Sequence, residues 1–261
     1  MKRVFNMSSL FNFKTAILAT MVALVGCQSN SPISLSEKLE KRSILWNIVS
    51  ERCGTEKDAK QDCLVTDREQ GFVIFRDRHG PVQTLTMPTL KITGVEDAQL
   101  LAPQARNYCY DAWQSRAILD QQNQKPIDPQ YLSFSVNSSY GRSQDQLHIH
   151  NSCLRTDVYQ IVEKSRSQLT NEWTVLPEKV LGHTYIAQKV KLTDLPNTSP
   201  FKNLETYVKQ QKKANMGQFG VAMVSAKDGE IVFLASQVNL KELNQASVEE
   251  IQDTHCAVNN A

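Results

Sequence analysis

The chain has 261 residues, which is enough for one large domain or two small ones with a buried core. Hydrophobic residues make up 41% and charged residues 21% of the chain, as is typical of a soluble globular protein. The formal net charge is +2, from 29 basic and 27 acidic side chains. The basic residues are interspersed with acids and form no long run, which argues against a nucleic-acid-binding surface.

The N-terminus has the pattern of an export signal. Lys2, Arg3 and Lys14 form a positive flank, and an apolar run follows from Thr15 to Gly26. A run of this length is too short to span a bilayer by itself, because a spanning helix needs roughly 20 residues, but it suits a signal-peptide core. The run ends in Leu24-Val25-Gly26-Cys27, which resembles the bacterial lipoprotein box, whose cysteine is acylated and becomes the mature N-terminus.

An uncleaved signal anchor is the alternative interpretation of residues 1–27. Both interpretations place the remaining chain in the cell envelope, anchored to a membrane with its catalytic domain in the periplasm, and the inner membrane is favoured over the outer. Residues 28–36 are expected to form a flexible tether. Residues 37–261 are expected to form a single domain.

The first predicted element after the tether is a helix that runs to Cys53. It begins with Ser34 and Glu37, spaced as in a capping box. Cys53 and Cys63 flank a polar loop and could close a small disulfide ring in an oxidising compartment. The pairing of the remaining cysteines, Cys109, Cys153 and Cys256, stays open.

Apolar periodicity predicts helices and strands in alternation along the rest of the chain. Strands are expected at 71–75, 82–87, 131–136, 147–154, 182–191, 219–225 and 231–235. Helices are expected at 103–120, 157–170 and 201–214. The last two strands form a hairpin across Lys227-Asp228-Gly229. The order of the elements favours an α+β fold with antiparallel strands, and the sequence has no glycine-rich phosphate loop.

The segment with the clearest chemical potential is Gln146-Leu147-His148-Ile149-His150. In a strand, alternate side chains share a face, so His148 and His150 would project together about 7 Å apart, with Gln146 and Ser152 on the same face. A neutral imidazole can act as a nucleophile, and a charged neighbour can stabilise an oxyanion or protonate a leaving group. Attack on phosphorus by histidine needs no metal or cofactor.

The spacing around this pair adds a family resemblance. The pattern Asn137-x-x-x-Gly141-x-x-x-x-Gln146-x-His148-x-His150 resembles the histidine-triad (HIT-like) hydrolases and transferases, which implies a HIT-like antiparallel sheet with flanking helices. One of the three histidines is absent here, so two registers are possible: Gln146, His148 and His150, or His148, His150 and Ser152. The middle position is the nucleophile in that family. The candidates are therefore His148 and His150, and the distance from Gly141 favours His148.

Several further segments are similar to the bacterial CDP-diacylglycerol pyrophosphatases. They are Ile44-Leu45-Trp46 with Cys53, Arg76-Asp77-Arg78-His79-Gly80, Met87-Pro88-Thr89, Gly94-Val95-Glu96, Ala112-Trp113-Gln114-Ser115-Arg116 and the run from Tyr140 to Cys153. The resemblance implies hydrolysis of CDP-diacylglycerol in the bilayer to CMP and phosphatidate, through a covalent nucleotidyl-histidine intermediate. The predicted substrate-binding residues are Asn137, Arg142, Gln144, Gln146 and Ser152.

Two other functions remain possible from the sequence. The first is a HIT-like hydrolase or transferase that acts on soluble nucleotides. The second is a non-enzymatic lipoprotein that binds a metal or ligand through His148 and His150. The sequence suggests no protein partner.

Overall fold

The computed structural model describes residues 34–211 and 214–260. The predicted signal segment with Cys27, and most of the predicted tether, lie outside the described residues. Leu35–Ala261 form one compact unit. Within the described ranges, none of the helices combines the length and the apolar character needed to cross a bilayer.

The described residues contain seven α-helices and ten β-strands. The α-helices are α1 (Leu35–Arg42), α2 (Ile44–Asn47), α3 (Ala98–Leu101), α4 (Tyr108–Gln114), α5 (Ala117–Asn123), α6 (Thr156–Ser165) and α7 (Pro200–Gln210). The strands are β1 (Cys63–Asp67), β2 (Phe72–Arg76), β3 (Thr84–Pro88), β4 (Leu132–Val136), β5 (Ile149–Leu154), β6 (Thr174–Val175), β7 (Tyr185–Lys191), β8 (Phe219–Ser225), β9 (Glu230–Gln237) and β10 (Gln252–Asp253). A π-helix (Ile48–Arg52) and short 3₁₀ helices (Pro129–Tyr131, Arg166–Gln168, Leu192–Asn197, Met216–Gln218, Lys227–Gly229, Leu240–Glu242, Val248–Ile251, Ala257–Asn260) complete the secondary structure.

The strands form one antiparallel sheet, which confirms the predicted α+β class with flanking helices. The strand order is β1-β2-β3-β5-β4-β8-β9-β7-β6, and β10 pairs with β5 at Cys153 and Leu154, beyond the end of β3. The hairpin predicted near the C-terminus is confirmed as β8 and β9. The strand β5 lies between β3 and β4, near the middle of the sheet.

Each face of the sheet carries helices. One face packs against α3, α4, α5 and α7, whose Leu100, Trp113, Leu119 and Phe201 join a single large core with Ile149 of β5. The other face carries two separate clusters. The first cluster lies under α2 and the π-helix, and the second lies under α6. The predicted histidines project from β5 on this second face.

The predicted helix from Ser34 to Cys53 is interrupted. The side chain of Gln144 inserts where one helical hydrogen bond would form: its Oε1 accepts from the amide of Leu45 at 3.1 Å, and its Nε2 donates to the carbonyl of Lys41 at 2.9 Å. The backbone bond between Leu45 and Lys41 is thus replaced by a side chain 99 residues away in sequence. The helix therefore breaks at Ser43 between α1 and α2, and α2 continues into the π-helix.

The prediction of one helix over 103–120 was also wrong. The helix α4 begins after Asn107, whose Oδ1 accepts a hydrogen bond from the amide of Tyr110 at 3.3 Å. The helix ends where the backbone amide and the guanidinium of Arg116 both donate to the carbonyl of Trp113, at 3.2 and 3.0 Å. The carbonyl of Trp113 is therefore not available for the regular hydrogen bonds of an α-helix, and α5 starts as a separate helix.

The predicted strand over 147–154 starts two residues late, because the amide of Leu147 donates to the carbonyl of Ile92 at 2.6 Å instead of to a neighbouring strand. The strands β1, β6 and β10 were not predicted.

The disulfide between Cys53 and Cys63 is confirmed, and a second disulfide joins Cys153 to Cys256. Burial raises the pKa of the remaining described cysteine, Cys109.

Candidate active site

The floor of the site is a row of paired residues across the sheet. Phe75 of β2 lies opposite Leu85 of β3, Leu85 lies opposite His150 of β5, and His150 lies opposite Ser135 of β4. Residues paired in this way share one face of a sheet. His148, just before β5, lies beside His150, with the two ring centroids 4.9 Å apart and the planes at 66°.

His148 is fixed by a hydrogen bond at one ring nitrogen. Its Nδ1 lies 2.6 Å from the backbone carbonyl oxygen of Gln146. A carbonyl oxygen can only accept a hydrogen bond, so Nδ1 carries the proton and Nε2 of the neutral ring has a lone pair. No hydrogen bond or ion pair involves Nε2 among the described residues. Burial and the neighbouring His150 lower the pKa of His148 to about 4, so the ring is neutral at physiological pH.

His150 has a close partner at each ring nitrogen, a hydrogen bond at Nδ1 and a carboxylate within ion-pair distance at Nε2. The side-chain amide of Gln83 donates to Nδ1 at 2.9 Å, which requires the proton to be on Nε2 in the neutral ring. Nε2 lies 2.8 Å from Oε2 of Glu249, within ion-pair distance. A carboxylate oxygen of Asp77 lies 4.0 Å from Nδ1. The two rings therefore differ chemically. Nε2 of His148 has a lone pair that can attack, and Nε2 of His150 has a hydrogen that it can donate in a hydrogen bond.

Glu249 reaches the site on the 3₁₀ helix Val248–Ile251, which lies across β8 and the loop after β4. Gly220 of β8 permits this close approach, because a Cβ at that position would lie 2.4 Å from the carbonyl oxygen of Ala246. Gly141 does the same in the loop, where a Cβ would lie 2.4 Å from Oγ of Ser247. The side chain of Asn137 then accepts a hydrogen bond from the amide of Glu249 at 3.1 Å.

The carboxylate of Glu249 stays ionised in this setting. Partial burial raises its pKa, but the close contact with the His150 ring, including its positive charge when protonated, and a hydrogen bond with Asn137 outweigh burial and lower the pKa to about 2. The side chain is 44% exposed, so the carboxylate remains in contact with the solvent-filled cavity. Glu249 thus supplies a permanent negative charge beside His150.

A cavity of about 890 Å³ lies above the two histidines. One part is lined by α2, the π-helix and the side chains of β2 and β3 beneath them. Another part is lined by Asn137 and the C-terminal segment that includes Glu249 and Gln252. The volume is large enough for a ligand of nucleotide size or above.

The structure brings four of the predicted site residues to this cavity: His148, His150, Asn137 and Gln144. Gln144 also replaces the missing helical bond between α1 and α2, so its polar atoms already have partners.

The other three predicted binding residues do not line the cavity, because internal hydrogen bonds hold their side chains. Gln146 donates to the carbonyls of Pro88 and Leu90, at 2.9 and 3.0 Å. Ser152 donates to the carbonyl of Val82 at 2.6 Å. The guanidinium of Arg142 forms ion pairs with Glu96 and Asp145 and is only 7% exposed. Strand alternation predicted Gln146 and Ser152 on the face of the histidines, but it could not show these backbone partners.

Three residues of the site were not predicted as site residues: Gln83, Asp77 and Glu249. Asp77 lies in the segment Arg76-Asp77-Arg78-His79-Gly80, which already resembled a known family and could have indicated it. Gln83 and Glu249 are 67 and 99 residues from His150 and carry no recognisable motif. Within residues 34–211 and 214–260, no group of three or more histidine, cysteine or acidic side chains is arranged to hold a metal ion.

Comparison with known proteins identifies the family. The model of the CDP-diacylglycerol pyrophosphatase family matches residues 40–260. A CDP-diacylglycerol pyrophosphatase from Yersinia pestis is 37% identical over 217 residues, which cover 82% of this chain and 84% of that protein. A crystal structure of a DUF4931 family protein from Bacillus cereus superposes with a TM-score of 0.47 and 12% identity, over 67% of this chain and 85% of that one. The family match covers nearly the whole described unit, and this chain belongs to the CDP-diacylglycerol pyrophosphatase family.

Proposed function

We propose that this chain hydrolyses the pyrophosphate bond of CDP-diacylglycerol to give CMP and phosphatidate, through a covalent cytidylyl intermediate on His148. The family supports the substrate class. The observation that carries the mechanism is the hydrogen bond from Nδ1 of His148 to the carbonyl of Gln146, because it leaves an unprotonated Nε2 beside the cavity.

His148 is better suited to attack phosphorus than His150. Its lowered pKa, about 4, keeps the lone pair available at neutral pH. Both ring nitrogens of His150 already have partners, Gln83 on one side and Glu249 on the other. His150 is therefore assigned to hydrogen bonding of the leaving oxygen and His148 to nucleophilic attack, which agrees with the register that the spacing from Gly141 favoured.

The reaction proceeds in two displacements. In the first, Nε2 of His148 forms a bond to the phosphorus of the CMP half, and the bond from that phosphorus to the bridging oxygen breaks. The bridging oxygen leaves with phosphatidate, and the Nε2–H group of His150 stabilises its negative charge by a hydrogen bond without losing the proton. In the second, water attacks the same phosphorus, the phosphorus–nitrogen bond breaks, and CMP leaves. The proton lost by water passes to solvent, and His148 regains its lone pair.

Glu249 serves this cycle as a positioning residue. It lies on the Nε2 side of His150, the side that would face the leaving oxygen. Gln83 forms a hydrogen bond with the opposite nitrogen. Together they orient the Nε2–H group, which matters because a hydrogen-bond donor stabilises a leaving oxygen only when it lies within hydrogen-bond reach.

The same proposal places the chain at the membrane. The first 27 residues would hold it at the periplasmic face of the inner membrane, through acylated Cys27 or an uncleaved anchor. Two disulfides, Cys53–Cys63 and Cys153–Cys256, suit an oxidising compartment. A labelled fatty acid should be incorporated into the wild-type chain and not into Cys27→Ser. Absence of label from both would favour the uncleaved anchor.

Product analysis tests the proposed reaction. The full chain in detergent mixed micelles should convert CDP-diacylglycerol to equal amounts of CMP and phosphatidate, and His148→Gln should lower kcat by at least about 1,000-fold without changing the melting temperature substantially. Release of CDP and diacylglycerol would contradict cleavage of the pyrophosphate. Turnover of soluble dinucleotides without turnover of the lipid would instead support a soluble-nucleotide hydrolase.

A further inference from the structure

We propose that the cavity binds the two halves of its substrate on chemically different walls, with the glycerol and acyl chains against an apolar wall formed by Ile44, Ile48, Phe75 and Leu85. The nucleotide then lies toward a polar wall formed by Asn137, Glu249 and Gln252. This inference rests on the proposed function and adds the orientation of the substrate and the residues that select a lipid.

The row across the sheet marks the boundary between the walls. Phe75, Leu85, His150 and Ser135 are successive pairing partners on β2, β3, β5 and β4. Neighbouring strands lie about 4.8 Å apart, so the row changes from apolar to polar at the strand that carries the histidines. A phosphorus atom attacked by His148 would have apolar side chains on one side and hydrogen-bonding groups on the other.

The apolar wall belongs to the cluster under α2 and the π-helix. Leu85 and Phe75 are 4% and 7% exposed, and they pack with Leu45 and Val49. Ile44 and Ile48 line the cavity above them. Aliphatic side chains such as these offer no hydrogen bonds to a cytosine or a ribose, but they lower the free energy of an alkyl chain that leaves water.

The polar wall has hydrogen-bonding capacity that the protein itself does not use. Oε1 of Gln252 is buried and has no hydrogen-bond partner among the described residues. Gln252 lines the cavity, and its amide nitrogen donates to the carbonyls of His150 and Ser133, at 2.8 and 2.9 Å. Buried polar atoms without partners are rare, and a nucleoside with several donors would satisfy them.

The apolar wall also continues to the surface. Ile44 is 46% exposed at the cavity, and Leu39 of the preceding helix is 55% exposed. The side chains of Lys57, Lys60 and Arg78 also line the cavity and pair with no carboxylate in the part of the chain that the structure describes. An apolar rim beside unpaired cations suits entry of an anionic lipid from a bilayer surface.

Direct binding of the two products tests the orientation without depending on turnover. Dissociation constants of the full chain are measured for CMP in solution and for phosphatidate in detergent mixed micelles, in the wild type, Ile44→Asp and Ile48→Asp. The control is Leu240→Asp, since Leu240 is 85% exposed and does not line the cavity. Ile48→Leu tests whether an aliphatic side chain suffices. Melting temperatures of all variants show whether each one is folded.

We expect the dissociation constant for phosphatidate to rise about 10- to 100-fold in Ile44→Asp or Ile48→Asp, while that for CMP changes less than about twofold. Leu240→Asp and Ile48→Leu should bind both products like the wild type. A rise in the constant for CMP instead would reverse the orientation, and no change for phosphatidate would overturn the acyl site. A wild-type chain that binds both products but hydrolyses no CDP-diacylglycerol would contradict the proposed function alone.

Discussion

The hydrogen bond at Nδ1 determines what His148 can do. The carbonyl of Gln146 fixes the proton on Nδ1, and burial lowers the pKa to about 4. Both effects leave Nε2 unprotonated in the pH range of the cell. The reactive nitrogen is therefore prepared before substrate binds, without a separate base to remove its proton.

The tautomer of His148 can be observed directly. Nitrogen-15 NMR should show an imidazole that stays neutral and protonated at Nδ1 from pH 8 to pH 5, because a pKa of about 4 keeps the His148 ring uncharged throughout this range. The same signal should be absent from His148→Gln. A His148 ring that becomes positively charged near pH 6.5, or that is protonated at Nε2, would contradict the assignment.

The charge of Glu249 should matter for turnover. Glu249→Gln keeps the shape but removes the negative charge beside Nε2 of His150, so kcat should fall about 10- to 100-fold while the melting temperature stays close to that of wild type. Glu172→Gln is the control for the loss of a charge, since Glu172 is exposed and does not line the cavity. Wild-type kcat in Glu249→Gln would show that the carboxylate does not position His150.

At the level of single residues, the sequence identified His148 and His150 but not the groups that contact them. Strand alternation correctly put His148 and His150 together. The groups that differentiate the two rings, Gln83 and Glu249, come from distant segments and depend on strand order and on the path of the C-terminus. Gln146 contributes through its backbone carbonyl, an interaction that its side-chain identity does not indicate.

Among the elements, the C-terminal segment from Ala246 to Ile251 is the one on which the site depends most. It lies on β8 only because Gly220 has no side chain there. A Cβ at that position would approach both the carbonyl oxygen of Ala246 and Cγ2 of Val248 within 2.4 Å. The position of Glu249 thus follows from a glycine in a different part of the sheet.

Gly220→Ala should therefore reduce both stability and activity. Displacement of the segment should cost about 1–3 kcal/mol in the free energy of unfolding and separate Glu249 from His150, which lowers kcat. Chemical denaturation and steady-state kinetics measure the two effects. Gly229→Ala is the matched control in the β8–β9 turn, where an added Cβ meets no atom within 4 Å and only the positive φ is strained. Equal loss of activity in both variants would argue against the explanation.

The elements themselves were predicted unevenly, for physical reasons. Strands with continuous apolar runs, such as β2 and β8, depend on local pattern and were found. The breaks in the first helix and in the helix after Pro103 depend on side chains of Gln144 and Arg116 that take over backbone partners. The strands β6 and β10 have two residues each, which is too short for a periodic signal.

Across the whole molecule, the disulfide Cys153–Cys256 connects the end of β5 to the C-terminal region over 103 residues. The sequence predicted the α+β class, but neither this pairing nor the strand order, because both depend on contacts between distant segments. The disulfide closes the part of the chain that contains β6 to β9 and the segment with Glu249. This disulfide should therefore reduce the conformational entropy of the unfolded chain more than the disulfide between Cys53 and Cys63, which are only ten residues apart.

Cys256→Ser should accordingly lower the free energy of unfolding by about 4–5 kcal/mol, against roughly 3 kcal/mol for Cys63→Ser, as loop-closure entropy predicts. Denaturation under non-reducing conditions compares the two variants, and the wild type with reductant serves as a common reference. An equal effect of the two variants would show that loop length does not determine the contribution of these disulfides.

The central claim, that the whole fold presents His148 as a nucleophile to a nucleotide-linked phosphorus, is tested most directly by trapping the intermediate. CDP-diacylglycerol labelled in the cytidine is mixed with excess full-length enzyme and quenched in alkali, in which a phosphorus–histidine bond survives. We predict an acid-labile label on the peptide that contains His148, formed within a single turnover and absent from His148→Gln. Label on His150 instead, or full turnover without any labelled protein, would contradict the account.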